Sequence, residues 1–334
     1  MMPSTSELAS MFMRFATPAV SVERIDAAHP LNLGSASIAI GAFDGFHLGH
    51  RELVDAAIED AERAGIRSVV VTFDPDPDCV VGPGPAPKLT SIEDRLALLA
   101  HSGVDAVVVV PFTDKLAHLD HEAFFHDVLG PSMDIRSIHV GSDFRLGYRG
   151  ASDVHVMGAW CADGGIELVA HDLVRKGSEK ISSTRIRAAL SEGDVCAAAD
   201  LLGRTYMVRG RVAKGRGQGH KMGFPTANIE VREGIQMPAD GVYSGLALVD
   251  GNVYPAAINV GLPPMFRSSA RSAHLEANLI GFSGDIYGSS VSLAFSHHLR
   301  PSRVFDSQEE LVRTVMGNIN DVCREFGECG VPLN

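Results

Sequence analysis

Residues 41–50 read Gly41-Ala42-Phe43-Asp44-Gly45-Phe46-His47-Leu48-Gly49-His50, and they stand between an apolar run and a stretch with helix-spaced apolar residues. A glycine-rich strand-to-helix turn lets the backbone approach a ligand closely, and the helix that follows offers free N–H groups at its positive end. His47 and His50 are three residues apart, so both side chains can face one polyphosphate held there. The sequence therefore predicts a phosphate site in this turn, with the binding residues Gly41, Asp44 and Gly49.

Strand-like and helix-like segments alternate around this turn. The predicted strands are rich in Val and Ile and cover residues 37–41, 68–73, 106–110, 137–140 and 166–170. The predicted helices between them cover residues 49–64, 91–101, 121–129 and 153–162. This order is typical of an α/β, Rossmann-like fold, in which helices cover both faces of a parallel sheet and ligands bind at the carboxyl ends of the strands.

Two short helices, predicted at 183–190 and 194–202, close this first domain. After Gly203 the pattern changes to six strand-like segments without intervening helices: 206–213, 226–231, 241–249, 253–260, 273–280 and 290–297. Such a series favours a six-stranded antiparallel β-barrel. A terminal helix is predicted over 307–326, because Ser307 and Glu310 have the spacing of a helix cap. The predicted domains are therefore residues 1–203 and 204–334.

Composition narrows the class of protein further. The chain has 334 residues and a net charge of −12, so no broad basic surface favours nucleic acid as a partner. Its five cysteines are scattered and form no paired motif, which is typical of reduced thiols in the cytoplasm. No run of about 18 apolar residues predicts a membrane span. We expect a cytoplasmic protein that binds phosphate ligands by local geometry, with no membrane or nucleic-acid partner.

A second phosphate-binding segment is predicted at the start of the helix at 183–190. It reads Ile181-Ser182-Ser183-Thr184-Arg185-Ile186-Arg187. Hydroxyl groups at a helix start can bind phosphate, and arginine makes bidentate contacts to phosphate oxygens. Alone the segment is equally compatible with a helix cap. Together with residues 41–50 it favours nucleotidyl transfer, with Ser183, Thr184 and Arg187 on the phosphates.

The barrel half carries its own phosphate signal in Gly215-Arg216-Gly217-Gln218-Gly219-His220-Lys221, followed by Met222-Gly223-Phe224-Pro225-Thr226-Ala227-Asn228. Alternating glycines can form a flap whose N–H groups surround phosphates. A strand follows instead of a helix, so this is neither a Walker A loop nor a dinucleotide fingerprint. Thr226 and Asn228 share one face of the predicted strand and can hold Mg²⁺ together with phosphate oxygens. The predicted phosphate-binding residues are Gly215, Gly217, Gly219 and His220.

These motifs resemble those of the bacterial bifunctional riboflavin kinase/FAD synthetase (FMN adenylyltransferase) family over nearly the whole chain. Besides the segments quoted above, the matching stretches are 72–75, 140–147, 241–243, 259–261, 284–288 and 299–301. The resemblance implies that the first domain converts FMN and ATP to FAD and pyrophosphate. It also implies that the barrel phosphorylates riboflavin with ATP, and that both reactions use Mg²⁺.

Residue roles follow from the same resemblance. His47 and His50 would be catalytic in adenylyl transfer, with Ser183, Thr184 and Arg187 on the ATP phosphates. Glu276 matches the family's catalytic carboxylate and would accept the proton of the attacking ribityl hydroxyl. Asp143 and Phe144 would help position the flavin or the nucleotide, and Arg300 is a further residue expected to bind flavin.

Two departures from the family pattern bear on these roles. Asp76 stands where the family usually has histidine, and a carboxylate beside phosphates repels them unless Mg²⁺ or a lysine such as Lys180 offsets its charge. On that basis Asp76→His is expected to preserve or raise FAD synthesis. His220 stands where the family often has arginine, so it would donate to phosphate with less permanent charge.

Two alternatives to a bifunctional enzyme remain open on the sequence alone. A carboxylate at Asp76 could leave a flavokinase with a weak adenylyltransferase domain. The same scaffold could instead serve as a non-catalytic flavin-binding regulatory protein, although such a protein needs none of the transfer groups.

Overall fold

The computed structural model describes residues 12, 20–25, 30–81, 84–172, 174–214, 222–261 and 275–333. Their contacts divide into two compact units. The sheet unit contains the described residues from 20 to 86 and from 92 to 182. The barrel unit contains residue 12, residues 87–91 and the described residues from 183 to 333. Among the described residues, no helix is both long enough and apolar enough to cross a bilayer.

Six parallel strands form the core of the sheet unit. In sheet order they are β1 (Val22–Arg24), β4 (Ala106–Val110), β3 (Arg67–Phe73), β2 (Ser35–Ile40), β5 (Asp134–Gly141) and β8 (Glu167–His171). Every neighbouring pair in this order runs parallel. From β2 the chain adds β3 and β4 on one side and then returns to add β5 on the other. The sheet therefore reverses its order between β2 and β5, which is where ligands bind in open α/β sheets.

Shorter elements connect and cover these strands. The helices of the sheet unit are α1 (Leu48–Ala64), α2 (Pro77–Val80), α3 (Ile92–Ala100), α4 (Asp114–Ala117), α5 (His121–Ala123) and α6 (Val154–Asp163). Two small antiparallel pairs join β6 (Arg145–Leu146) to β7 (Ser152–Asp153) and β9 (Arg175–Lys176) to β10 (Glu179–Lys180).

Apolar residues lie on both faces of the parallel sheet. Ala39, Val70 and Val107 pack on one face with Leu53 and Val54 of α1 and with Leu98 and Leu99 of α3. Their strand neighbours point the other way, and Ile38, Val69 and Val108 pack with Phe124, Phe125 and Met157. The doubly covered parallel sheet predicted from the strand–helix alternation is confirmed.

The predicted helix at 121–129 differs from the observed backbone. A single α-helical turn, α5, begins after its N-cap Asp120 and passes into a π-helix over Phe124–Leu129. The amide of Gly130 donates to the carbonyl of Phe125 at 2.8 Å, which is the wider π spacing. This extra residue in the turn accompanies the burial of Phe124, Phe125 and Leu129, which all lie in the core.

Six antiparallel strands close into a barrel in the second unit. Around the barrel they are β13 (Gly241–Val249), β16 (Ser290–Pro301), β11 (Tyr206–Ala213), β12 (Ala227–Val231), β15 (Leu275–Leu279) and β14 (Asn252–Val260), and β13 pairs with β14 to complete the closure. A short strand, β17 (Val331–Pro332), pairs with the start of β14. The predicted barrel is confirmed, while residues 273–274 of the fifth predicted strand lie outside the described residues.

Three helices belong to the barrel unit: α7 (Ser183–Ser191), α8 (Val195–Leu202) and α9 (Gln308–Phe326). The carbonyl of Leu190 at the end of α7 accepts from the amide of Ala239 at 2.8 Å, and Cys196 Sγ on α8 lies 3.3 Å from the carbonyl of Ser296 on β16. The apolar face of α8 is buried. Helices α7 and α8 therefore pack on the barrel, whereas the sequence predicted that they close the first domain.

Candidate functional site

The turn at 41–50 lies where the parallel sheet reverses its order. It follows β2, and the loop with Asp143 and Phe144 follows the adjacent strand β5. Both segments leave the carboxyl ends of neighbouring parallel strands, so they share one edge of the sheet. This edge is the candidate adenylyl-transfer site within the sheet unit.

The backbone of the turn is unusual for a chain of L-residues. Gly45 has φ 79, which glycine adopts freely, but Phe43 and Phe46 also lie in the left-handed region, with φ 53 and φ 34. Both phenylalanines are buried, and their rings meet edge to face with centroids 6.4 Å apart. Packing of these rings into the core stabilises a backbone conformation that their side chains disfavour. Such strain is often found at functional sites.

His47 and His50 lie side by side at the start of α1. His47 is the N-cap, and its Nδ1 accepts from the backbone amide of His50 at 3.3 Å. In the neutral ring, the proton then lies on Nε2, which makes that nitrogen a donor. The two rings stack with centroids 3.6 Å apart, and His50 also meets the Phe43 ring at 5.3 Å. The predicted juxtaposition of the two histidines is therefore present in the structure.

Glycine at positions 41 and 49 permits close packing within the turn. A Cβ at Gly49 would lie 3.3 Å from the His47 ring, and one at Gly41 would lie 3.3 Å from the Phe43 ring. Asp44 lies in the same turn and is buried. A side chain at Gly49 would push on His47, so this glycine also serves to place the imidazole.

Asp143 and Phe144 occupy the neighbouring loop. Phe144 is half-buried against the apolar core of the sheet, and its amide donates to the carbonyl of Gly141 at 2.9 Å. Asp143 is largely exposed, and its Oδ2 lies 3.5 Å from Lys180 Nζ. Lys180, the expected counter-charge of Asp76, is therefore placed beside Asp143 instead.

Asp76 has a different partner from the one expected. Its carboxylate forms an ion pair with Arg95 on α3, and both side chains are buried, at 8% and 4% exposure. The guanidinium offsets the negative charge of Asp76 inside the protein. The expectation that Asp76→His preserves FAD synthesis is therefore revised, because histidine would leave Arg95 without its carboxylate.

The second predicted phosphate segment lies in the barrel unit. Ser183 and Thr184 begin α7, and Arg187 lies one turn later, with its Nε donating to the carbonyl of Pro87 at 2.6 Å. The sheet unit holds His47 and His50 instead. That both groups act on one ATP molecule stays a prediction.

A polar row crosses three neighbouring strands of the barrel. Glu276 on β15 stands directly opposite Asn228 on β12 and opposite Asn259 on β14. Residues that are directly opposite in antiparallel strands share a face of the sheet. Their strand neighbours Ala277 and Ile258 are fully buried on the other face, whereas the three polar residues are half-buried. The barrel thus places the predicted catalytic carboxylate beside the predicted magnesium ligand Asn228.

Thr226 immediately precedes β12, and the segment around it is tied to β15. The Asn278 side-chain amide donates to the carbonyl of Pro225 at 2.7 Å, which fixes the backbone next to Thr226. A threonine hydroxyl, an asparagine carbonyl and a nearby carboxylate are oxygen donors of the kind that Mg²⁺ prefers. The donor set therefore fits the magnesium ion that the family resemblance implies.

Arg300 lies on β16 and packs against the C-terminal part of the barrel unit. Its Nε donates to Asn318 Oδ1 of α9 at 3.0 Å, and its guanidinium lies 5.5 Å from the centroid of the Phe305 ring. Burial and the nearby Arg303 lower the pKa of Arg300. These contacts join β16 to α9, and the predicted role in flavin binding stays a prediction. The flap residues Gly215, Gly217, Gly219 and His220 lie outside the described residues.

Three polar residues at these sites are not among those predicted from the sequence: Arg95, Asn259 and Asn278. Asn259 stands in a stretch that matches the family, so it carried a signal. Asn278 stands two residues after Glu276, and the sequence alone does not show which group its amide contacts. Arg95 carried no signal at all, because a helical arginine is usually a solvated surface residue.

Comparison with known proteins gives two family matches along the chain. The FAD synthetase family model matches residues 30–185, and the riboflavin kinase model matches residues 202–326. The bifunctional riboflavin kinase/FMN adenylyltransferase of Bacillus subtilis (strain 168) is 32% identical over 293 residues, covering 86% of this chain and 92% of that protein. The protein of the same name from Escherichia coli (strain K12) is 31% identical and covers 82% and 87%.

A solved structure with a similar fold is named as a different kind of protein. The crystal structure of a macrolide-efflux protein from Streptococcus pneumoniae has a TM-score of 0.81 and 29% identity, covering 91% of this chain and 99% of that one. One fold can carry unrelated activities, so this likeness bears on architecture and gives no activity. The two family models and the curated relatives together decide the assignment. The chain belongs to the bifunctional riboflavin kinase/FMN adenylyltransferase family.

Proposed function

We propose that this protein makes FAD from riboflavin in two ATP-dependent steps. Residues 204–334 phosphorylate riboflavin to FMN, and residues 1–203 adenylylate FMN to FAD with release of pyrophosphate. The observation that carries the proposal is the presence of both family regions in one chain. The cysteine usage and charge of the chain support action in the cytoplasm, with riboflavin, FMN, FAD and ATP as its small-molecule partners.

In the kinase step, Glu276 accepts the proton of the ribityl hydroxyl as that oxygen attacks the γ-phosphate of ATP. The position of Glu276 between Asn228 and Asn259 supports this role. Thr226 and Asn228 are the residues that would hold Mg²⁺. Bound there, the ion would neutralise charge on the ATP phosphates. Gly215, Gly217, Gly219 and His220 contact the phosphates, and Arg300 contributes to the flavin site.

In the adenylyl-transfer step, a phosphate oxygen of FMN attacks the α-phosphate of ATP, and pyrophosphate leaves. His47 and His50 donate hydrogen bonds to phosphate oxygens as negative charge develops in the transition state. The donor at His47 Nε2 and the ring stacking of the two histidines support this role. Gly41, Asp44, Gly49, Ser183, Thr184 and Arg187 bind the ATP phosphates, while Asp143 and Phe144 position the flavin.

The proposal is tested by incubating the purified protein with riboflavin, ATP and Mg²⁺ and separating FMN from FAD. Both products are expected, and chelation of Mg²⁺ should stop both reactions. FMN alone would identify a flavokinase with an inactive adenylyltransferase domain, and no product would favour a non-catalytic flavin-binding protein.

The role of Glu276 has its own test. Glu276→Gln should lower the rate of FMN formation by about 10²-fold or more, since it removes the general base. Riboflavin binding, followed by fluorescence, and FAD formation from supplied FMN should persist and serve as controls. An unchanged rate of FMN formation would remove Glu276 from the mechanism.

A further inference from the structure

Arg95 is a buried cation next to the adenylyl-transfer turn. It lies on α3 with 3% of its surface exposed. Its guanidinium reaches three acceptors on two chain segments: the Asp76 carboxylate, the Ala42 carbonyl at 2.8 Å and the Phe73 carbonyl at 2.8 Å. Phe73 ends β3, and Ala42 lies inside the turn that follows β2. One side chain thus links the carboxyl ends of two adjacent strands.

Ala42 is the point at which this link reaches the site. Its carbonyl accepts from Arg95 and also from the Thr72 hydroxyl at 3.3 Å. The next residue is Phe43, which has the left-handed backbone conformation and whose ring contacts His50. A shift of the Ala42 peptide therefore moves Phe43, and through its ring it moves His50.

The geometry requires an arginine in particular. A guanidinium presents several N–H donors in fixed, diverging directions, so it can serve a carboxylate and two carbonyls at once. A lysine ammonium has the same charge but only one nitrogen, which cannot lie within hydrogen-bond distance of all three acceptors in the same way.

A buried ion pair is weak evidence for a stabilising role, because desolvation offsets much of the attraction between the charges. The location of this pair is more informative, since its hydrogen bonds converge on the edge of the sheet that carries His47 and His50. We propose that Arg95, held by Asp76, is a positioning residue that fixes the Ala42–Phe43 backbone and so aims His50 at the ATP phosphates. This inference rests on the proposed adenylyl transfer.

Two substitutions at Arg95 separate positioning from charge balance. Arg95→Lys keeps the positive charge beside Asp76 but loses the diverging N–H donors of the guanidinium. Arg95→Met loses both the charge and the donors. Each variant should form FAD from FMN about 10- to 100-fold more slowly than the wild type, because small misplacements of reacting groups have effects of this size. The KM for FMN should stay within about twofold of the wild-type value, because the substitutions affect the transition state and not the binding of FMN.

The same chain supplies the control for folding. Riboflavin phosphorylation belongs to the other domain and should be unchanged in every variant. Arg63→Met is the matched control, because it removes an Arg–Asp pair, Arg63 with Asp60, from α1 of the same unit. That variant should form FAD at the wild-type rate.

A third variant covers the case in which Arg95→Met fails to fold. Asp76→Asn combined with Arg95→Met removes both buried charges, and it should fold yet stay slow in FAD formation. Guanidinium ions should partly restore FAD formation in Arg95→Ala, whereas sodium ions at equal ionic strength should not.

Wild-type rates in Arg95→Lys and in the double variant would overturn the inference. The inference would also be overturned if the Arg95 variants were less stable but their folded fraction formed FAD with the wild-type kcat. If the wild type itself formed FMN but no FAD, the proposed adenylyl transfer would fail instead, which is a distinguishable result.

Discussion

His139 is the most enclosed titratable side chain of a polar cluster that it forms with His171 and with Asp60 of helix α1. Its Nδ1 lies 3.0 Å from His171 Nε2, and its Nε2 lies 3.4 Å from Asp60 Oδ2. Burial and then the neighbouring His171 lower the pKa of His139, and burial also lowers the pKa of His171. The pKa of Asp60 is lowered, chiefly by a hydrogen bond from Ser137. Arg63 and Glu52 are the other charged groups that face this cluster.

The cluster predicts a loss of stability in mild acid. As pH falls below the ordinary histidine pKa of 6.5, the unfolded chain takes up protons that folded His139 and His171 resist. The free energy of unfolding of the sheet unit should therefore decrease between pH 7.5 and pH 5.5. Asp60 does not oppose this trend, because its contribution is lost only below its ordinary pKa of 3.8.

Urea denaturation at the two pH values measures the effect. His139→Gln should show a weaker dependence on pH than the wild type, because one of the two resisting groups is gone. Replacing an exposed histidine, as in His155→Gln, should leave the dependence unchanged. An equal change in the free energy of unfolding between the two pH values in His139→Gln and in the wild type would contradict this account.

At the scale of elements, α9 shows how a local sequence signal fixes a boundary. The Ser307 hydroxyl accepts from the amide of Glu310 at 3.1 Å, and the Glu310 carboxylate accepts from the amide of Asp306 at 3.2 Å. These contacts satisfy two amide groups at the start of the helix. The predicted helix cap is confirmed.

Loss of this cap should destabilise the barrel unit measurably. Ser307→Ala removes the acceptor, and the expected decrease in the free energy of unfolding is about 1 kcal/mol. Ser307→Asp keeps an acceptor at the same position and should retain most of the stability. Denaturant titration of the two variants and the wild type gives the comparison, and an unchanged midpoint for Ser307→Ala would show that the cap is dispensable.

At the scale of the whole molecule, the two reactions share FMN as product and substrate. The simplest arrangement is that FMN leaves the kinase site and then binds the adenylyltransferase site from solution. Under this arrangement, a mixture of Glu276→Gln and His50→Ala should convert riboflavin to FAD after a lag, although neither variant does so alone. Chromatography of the products over time measures the lag. Failure of the mixture, with each remaining activity intact, would mean that FMN passes only within one chain.

The sequence by itself determined the two fold classes and the order of the main strands and helices, whereas its site residues stay predictions. These features depend on contacts along the chain: apolar spacing within a strand or helix, glycine in a turn, a hydroxyl at a helix start. The change from the α-helical turn α5 to the π-helix at Phe124–Leu129 could not be predicted from such patterns. It depends on how Phe124, Phe125 and Leu129 pack into the core.

Only the tertiary structure decided which distant residues meet. It paired Asp76 with Arg95 rather than Lys180, and it placed Glu276 between Asn228 and Asn259. It also packed α7 and α8 on the barrel. These contacts follow from strand order and register, which no short stretch of sequence specifies. For the turn at 41–50, the sequence predicted a phosphate site, and only the structure showed that Arg95 and Thr72 both donate to the Ala42 carbonyl.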